Sequence, residues 1–303
     1  MKQPYSLNRR KFITRTAQSA GLLALADLKP LMASSLPESP LKSWTVQEVI
    51  DLILKEGKLS TLPDTVDTLK SGKGSQVVSG IVTTMFPTIA VIEEAARLKV
   101  NFIMAHEPTF YNHLDKPDWV ENNNIVKQKQ QLLDKHKIVV WRFHDYIHRL
   151  TPDAISYGVV KKANWLSYYK AGQPILTIPS VPLKQLVQHL KQSLGITQLR
   201  VVGDPNQTCQ RIGLLPGAIG GQRQVALAER EKPDVLIVGE APEWETVEYI
   251  RDARLLGQNV SLIVLGHAVS EEPGMEYFID WLKPKLPDLK ITHVASEDPF
   301  LWM

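Results

Sequence analysis

Val100-Asn101-Phe102-Ile103-Met104-Ala105-His106-Glu107-Pro108 is a short apolar run that stops at an imidazole, a carboxylate and a proline. An apolar stretch of this length, closed by a breaker, reads as a buried strand. The grammar recurs at Ile138-Val139-Val140-Trp141-Arg142-Phe143, which runs into His144. Ile89 to Leu98 and Ile125 to Lys137, which precede these two runs, carry apolar residues at helical spacing. Strand–helix alternation predicts an α/β protein with a mostly parallel sheet and helices on its faces. Ligands of such sheets collect beyond the strand C-termini, where His106 and His144 fall.

Working outward, Thr45 can cap a helix whose apolar positions are Val46, Val49, Ile50, Ile53 and Leu54, ending at Gly57. Val77 to Thr83 reads as a strand. Downstream the pattern predicts a helix over Leu183 to Leu194 and strands at Leu199 to Gly203 and Gln210 to Leu215. A turn with Gly217, Gly220 and Gly221 follows, then a helix near Gln222 to Arg230 and a strand at Val235 to Val238. A helix over Glu245 to Leu256 and a buried strand at Val260 to Leu265 lead to Gly266-His267. The expected division is a leader and linker over residues 1–43, the first part of a metal-binding domain over 44–158, a second α/β domain over 159–257, and a return to the first over 258–303.

A chain of 303 residues with 44% apolar and 22% charged side chains has the composition of a folded enzyme or binding protein. Its net charge of +3 is local. Lys2, Arg9, Arg10, Lys11 and Arg15 lie in the first 26 residues, which hold no acid; setting them aside leaves 30 basic against 32 acidic groups. The remainder offers no electrostatic footprint for nucleic acid. The leader, Ser6-Leu7-Asn8-Arg9-Arg10-Lys11-Phe12-Ile13 followed by the diluted apolar run Ala17 to Ala26, resembles a twin-arginine export signal, with Asn8 where Ser or Thr is usual. The alternative is an amphipathic N-terminal helix. Cleavage after Ala26 or near Ala33 would leave a periplasmic or other extracytoplasmic protein with no membrane anchor. The run falls short of the roughly 20 apolar residues that span a bilayer. Cys209 is the single cysteine, so neither an intramolecular disulfide nor a cysteine-rich zinc site can form. Any metal must sit on His, Asp and Glu.

Three segments offer such donors. His106 and Glu107 follow the first strand. In His144-Asp145-Tyr146-Ile147-His148, His144 and His148 share a face if the chain turns helical, and Asp145 points elsewhere. Gly266 lets the backbone turn before His267, which pairs with Glu271 at i, i+4 if a helix begins there. Each cluster alone is also compatible with hydrogen-bonded strand ends and solvated acids. Together, three histidine-plus-carboxylate clusters at strand ends point to a metal centre.

These segments, with Gly80-Ile81-Val82-Thr83-Thr84, Glu94-Ala95-Ala96, Gly213 to Gly221 and Val238-Gly239-Glu240, resemble the NIF-three-like family, whose members are also labelled GTP cyclohydrolase I type-two homologues. The resemblance covers about residues 44–300. It implies two intertwined α/β domains, a centre of two divalent metal ions and a ring-shaped homohexamer. The family's first segment usually reads His-His-Pro, so His106 matches while Glu107 replaces a histidine. In the second segment His144 matches, and His148 stands where the family has a ligand Asp. His267 and Glu271 match without change. The two exchanges compensate: His106, His148 and His267 with Glu107 and Glu271 keep three imidazoles and two carboxylates, with Asp145 as an alternative oxygen. Zn, Fe or Mn suit such nitrogen and oxygen donors. A metal-dependent hydrolase of unknown small-molecule substrate follows, with Glu107 or Glu240 as a candidate general base; the rival is a non-enzymatic metal-binding or structural oligomer.

Overall fold

Thr45 opens the folded part of the chain with a reciprocal capping box: its hydroxyl accepts from the Glu48 N–H while the Glu48 carboxylate accepts from the Thr45 N–H. The computed structural model describes residues 42–301 and 303, so the leader, its cleavage points and the linker up to residue 41 lie outside the described residues. In chain order the elements are α1 (Val46–Glu56), β1 (Leu69–Ser71), β2 (Ile81–Thr84), α2 (Ile89–Arg97), β3 (Phe102–Ala105), α3 (Asn124–Lys135), β4 (Val139–Arg142) and α4 (Ala154–Lys162). Then come β5 (Ile175–Pro182), α5 (Leu183–Leu194), β6 (Arg200–Val202), β7 (Thr208–Leu215), α6 (Gly221–Glu231), β8 (Val235–Val238), α7 (Glu248–Leu255), β9 (Ser261–Val264), α8 (His267–Leu282) and β10 (Ile291–His293).

They form a mixed α/β fold with two five-stranded sheets, ordered β1-β4-β3-β2-β10 and β5-β7-β8-β9-β6. In the first, β4, β3, β2 and β10 run parallel and β1 closes the edge antiparallel. In the second, β7, β8 and β9 are parallel between antiparallel edges β5 and β6. Because successive side chains point to opposite faces, each sheet carries a core on both sides. Phe102, Met104, Val139 and Trp141 pack with α1 and α8, while Ile103, Ala105 and Val140 meet α2 and α3. Ile212, Val235 and Ile263 pack beneath α5, and Leu236, Val238 and Leu262 beneath α6 and α7.

The chain leaves the first sheet through α4, builds the second, and comes back through α8 and β10. Residues 261–264, grouped with the returning segment in the sequence reading, hydrogen-bond within the second sheet as β9. The expected strand from Val77 is shorter: Val77 makes only an isolated bridge with Thr45, and regular pairing starts at Ile81. α4 ties the two halves, since Ala154 and Ile155 belong to one core and Val159 and Val160 to the other. It crosses α8 where Gly158 meets Gly274; a Cβ on either would collide with the other helix's backbone. Only glycines permit this approach, and it holds the segment before α4 against the first turns of α8.

Candidate metal centre

The C-terminal ends of the parallel strands of both sheets face one cleft of about 1090 Å³, lined by Phe86, Glu107, His144, Pro216, Glu240 and His267 among others. His106 follows β3 directly, and its N–H still joins the ladder through the Thr84 carbonyl (3.1 Å). The turn after β4 is set by Asp67, whose carboxylate accepts from the backbone N–H groups of His144, Asp145 and Tyr146 at 2.8–2.9 Å. The chain then enters a short 3-10 turn, and His148 comes back over His144 with ring centroids 5.2 Å apart. Gly266 precedes α8, whose first and fifth residues are His267 and Glu271.

All four histidines are anchored in the same sense. The Nδ1 atoms of His106, His144, His148 and His267 meet the Phe143 carbonyl (3.2 Å), Asp145 (3.0 Å), Asp153 (3.2 Å) and Glu240 (2.9 Å). A carbonyl or carboxylate oxygen only accepts, so each Nδ1 carries the hydrogen; Nε2 is the free pole on His106, His144 and His148, while on His267 it meets the Glu271 carboxylate. Such oxygen partners on the far nitrogen fix the tautomer and orientation of metal-binding imidazoles. His106, His144 and His148 form one compact group; His106, Glu107 and Glu271 form another. The Nε2 of His267 lies 3.0 Å from Glu271 Oε2 and 3.4 Å from Glu107 Oε1.

The strongest sign of a cation site is His106. Its ring is fully buried, its Nε2 has no hydrogen-bond partner, and Glu271 Oε2 stands 3.3 Å away outside hydrogen-bonding geometry. A buried nitrogen lone pair and a carboxylate oxygen at that separation call for a shared proton or a cation between them. The charges agree. Burial alone would raise the Glu271 pKa, but His106 and His267 hold it well below the carboxylate range. Burial would lower that of His267, yet Glu107, Glu240 and Glu271 together push it up to about 12. Burial, reinforced by His106, lowers His144 to about 4, leaving a neutral ring. The residues therefore fit divalent ions with nitrogen and oxygen donors.

Every candidate residue from the sequence is gathered here, with two differences of role. Asp145 does not face the cleft centre: it accepts from Thr65 and Val66 and holds His144, which keeps its own pKa at about 2 against the effect of burial. His144 aims its Nε2 inward, 3.7 Å from Glu107, so four imidazoles converge where three were counted. Glu107 is also tied from behind by Arg142, fully buried, at 3.2 Å. Asp67, Arg142 and Asp153 were missed as supports. Arg142 sits in a strand and Asp67 and Asp153 in loops, with no spacing that announces a partner. Gly217 is needed for space: it has φ +71°, and a Cβ there would strike the Glu271 carboxylate.

The class thus defined is an α/β protein with a histidine- and glutamate-lined centre between two sheets. The model of the family Duf34/NIF3 (NGG1p interacting factor 3) matches residues 65–299, and the chain belongs to that family. It is similar to the GTP cyclohydrolase 1 type 2 homolog of Clostridium perfringens, 24% identical over 268 residues that cover 84% of this chain and 95% of that protein. The Escherichia coli K12 protein of the same description is 23% identical, covering 75% and 88%. Among solved structures, Staphylococcus aureus SA1388 superposes with a TM-score of 0.66 at 17% identity, covering 86% of this chain and 99% of that one. A Bacillus cereus protein related to NIF3 gives 0.65 at 16% identity, covering 86% and 100%. These structural likenesses bear on the fold.

Proposed function

We propose that the chain is a dinuclear metal-binding protein acting as a metal-dependent hydrolase on a small molecule. The observation that carries this reading is the convergence of four imidazoles, each with its Nδ1 anchored: the Nε2 atoms of His106, His144 and His267 stand 3.0–3.7 Å from Glu107 or Glu271, and His148 groups with His106 and His144. Six donors exceed the four that one tetrahedral ion takes, which favours two ions, of Zn, Fe or Mn type. His106, His144, His148, His267, Glu107 and Glu271 would hold them. Ions bound there would supply Lewis-acid polarisation of a substrate oxygen and acidify water.

The chain's own groups divide the remaining work. Glu107, buried and paired with Arg142, is committed to holding charge. Glu240 is 56% exposed at the mouth of the cleft and leans on His267, so it is the better placed of the two carboxylates to accept a proton from water or substrate. Arg223 also lines the mouth and can meet an anionic substrate group.

The same reading takes the Arg9-Arg10 leader as a twin-arginine export signal to an extracytoplasmic compartment and the assembled state as a homohexamer. Elemental analysis of protein purified from its native host should find two metals per chain, and light scattering should give six chains. Well under one metal per chain after reconstitution would overturn the centre. Turnover of phosphoester, amide and nucleotide panels should require metal; a fully loaded protein inert to all would make it a binding protein. Replacing Arg9 and Arg10 by Lys should retain it in the cytoplasm, and efficient export of that variant would point to another route.

A further inference from the structure

Behind the metal-binding cleft lies a second chamber of about 260 Å³. His148, Pro216, Ile219 and Glu271 line both spaces, so the imidazole and carboxylate form the partition between them. Its inner wall is apolar: Ile155 and Val160 from α4, Leu176 from β5, and Leu214 and Leu215 from β7 are all buried. The one charged group on that wall apart from the partition is Asp153. Its carboxylate already accepts from His148 Nδ1, the Ile155 and Ser156 backbone N–H groups and the Ser156 hydroxyl. Its hydrogen-bonding capacity is filled within the protein, so it asks nothing of a ligand. Tyr169 and Gln173 stand at the outer rim, which the loop through Gly172 leaves open.

The geometry points to this chamber as the subsite for an uncharged one- or two-ring aromatic or heteroaromatic group of the substrate, whose reacting bond then lies across His148 and Glu271 in the cleft. Size decides the class. A dry apolar cavity of roughly 150 Å³ holds a benzene, so 260 Å³ suits an indole-sized ring, whereas a long acyl chain would have to run out through the open rim into water. Charge decides the rest: with Asp153 satisfied and the inner wall aliphatic, a charged group entering it would lose its water without a partner. The polar and ionic portion of the substrate belongs to the cleft, where Glu240 and Arg223 are exposed. The inference deepens the hydrolase reading, which supplies the reacting end, while the chamber itself exists without metal.

Two arms test it on the whole folded protein. In the first, metal-free protein is titrated with indole while the methyl resonances of Ile155, Val160, Leu176 and Leu214 are followed. Saturable shifts confined to these, with Val49 and Ile53 of the far core unmoved, are expected. Leu176→Trp, which fills the chamber, should weaken indole binding about tenfold or more, in line with the loss of a ring's apolar burial. Gln173→Trp, a rim change at an exposed position that leaves the core intact, should weaken it about fivefold by standing a ring across the opening and covering part of the apolar wall the ligand would bury against. In the second, metal-loaded protein is offered benzohydroxamate and acetohydroxamate, which share the chelating end. The aryl compound should bind about tenfold tighter, and Leu176→Trp should abolish that preference. If no metal loads and neither hydroxamate binds, the centre fails and the indole arm still decides the chamber. If acetohydroxamate binds as tightly as benzohydroxamate and indole leaves the four methyl groups unmoved, the chamber is overturned and the centre stands.

Discussion

The two sheets bring donors to the same cleft by different means. The first delivers them straight from its strands: His106 follows β3 without a spacer, keeps a ladder hydrogen bond and is fully buried. The second works through turns and a helix: His267 comes three residues past β9 at the start of α8, 18% exposed, and its support Glu240 lies two residues past β8 and is 56% exposed. A donor held by a sheet ladder inherits the rigidity of the core. One held by a helix depends on whatever fixes the helix, here Met275, Phe278 and Leu282 packed into the first core and the Gly158–Gly274 crossing. Burial of such side chains contributes about 1.5–3 kcal/mol each. The outer half of the centre is thus placed by packing; in the inner half, backbone pairing places His106, and the turn fixed by Asp67 and Asp153 places His144 and His148.

This contrast breaks if removing an inner donor is no worse than removing an outer support. His106 belongs to both donor groups, so His106→Ala should lower metal affinity by more than the about 10–100-fold typical of a supporting residue, leaving little bound ion in elemental analysis. Glu240→Gln, which keeps a hydrogen-bond acceptor for His267, should stay within about tenfold of the parent. Equal losses would mean that depth in the sheet does not set the hierarchy.

A change at the helix crossing isolates the packing route. Gly274→Leu should cost about 1–3 kcal/mol or more through overpacking against Ile155 and Gly158. At roughly 2–4 °C per kcal/mol for a domain of this size, the melting temperature should fall by several degrees. Resonances of His267 should shift more than those of His144. A shift centred on His144 instead would show that α8 is not the element that places the outer donors.

The effect furthest from the donors lies behind the first-sheet loop. Lys129 on α3 is buried, donates to the Thr109 carbonyl at 2.8 Å, and burial lowers its pKa to about 8. The unfolded chain binds its proton up to about pH 10. Between those values the unfolded state holds more protons, so this group's contribution to stability rises with pH from about 8 to about 10. Urea unfolding of the parent and Lys129→Met at pH 7 and pH 10 should differ in that rise by an amount of order 2 kcal/mol. Parallel pH curves would show that Lys129 keeps its ordinary pKa and that the loop after β3 is not closed by a buried amine.

Much of the plan is legible because it is local. The runs 102–105, 139–142, 235–238 and 261–264 are apolar apart from Arg142 and Ser261, as parallel strands buried on both faces tend to be, and each is a strand. Thr45 and Gly57 bracket α1 as their chemistry requires. The elements that escaped were those whose pattern is not their own. β1 and β10 have three residues each, too few for a period. β5 contains Pro179 and Pro182 and an irregular register, tolerable because it is an edge strand. α4 buries residues on several sides because it packs on both cores, which erases the one-sided stripe that marks a surface helix.

The centre divides in the same way. The sequence by itself determined which candidate donors are on offer, His106, Glu107, His144, His148, His267 and Glu271, because each follows an apolar strand or shares a turn with one that does. Its single cysteine leaves no cysteine-rich site, and folding buries that residue, Cys209, in a separate core. Only the tertiary structure decided the roles. Asp145 turns away to brace His144, Arg142 stands behind Glu107, and Asp67 and Asp153 reach in from loops to fix the second segment. The reason is physical: a donor's identity is a property of one residue, whereas its tautomer, charge and direction are set by groups distant along the chain that folding brings within 3 Å or so.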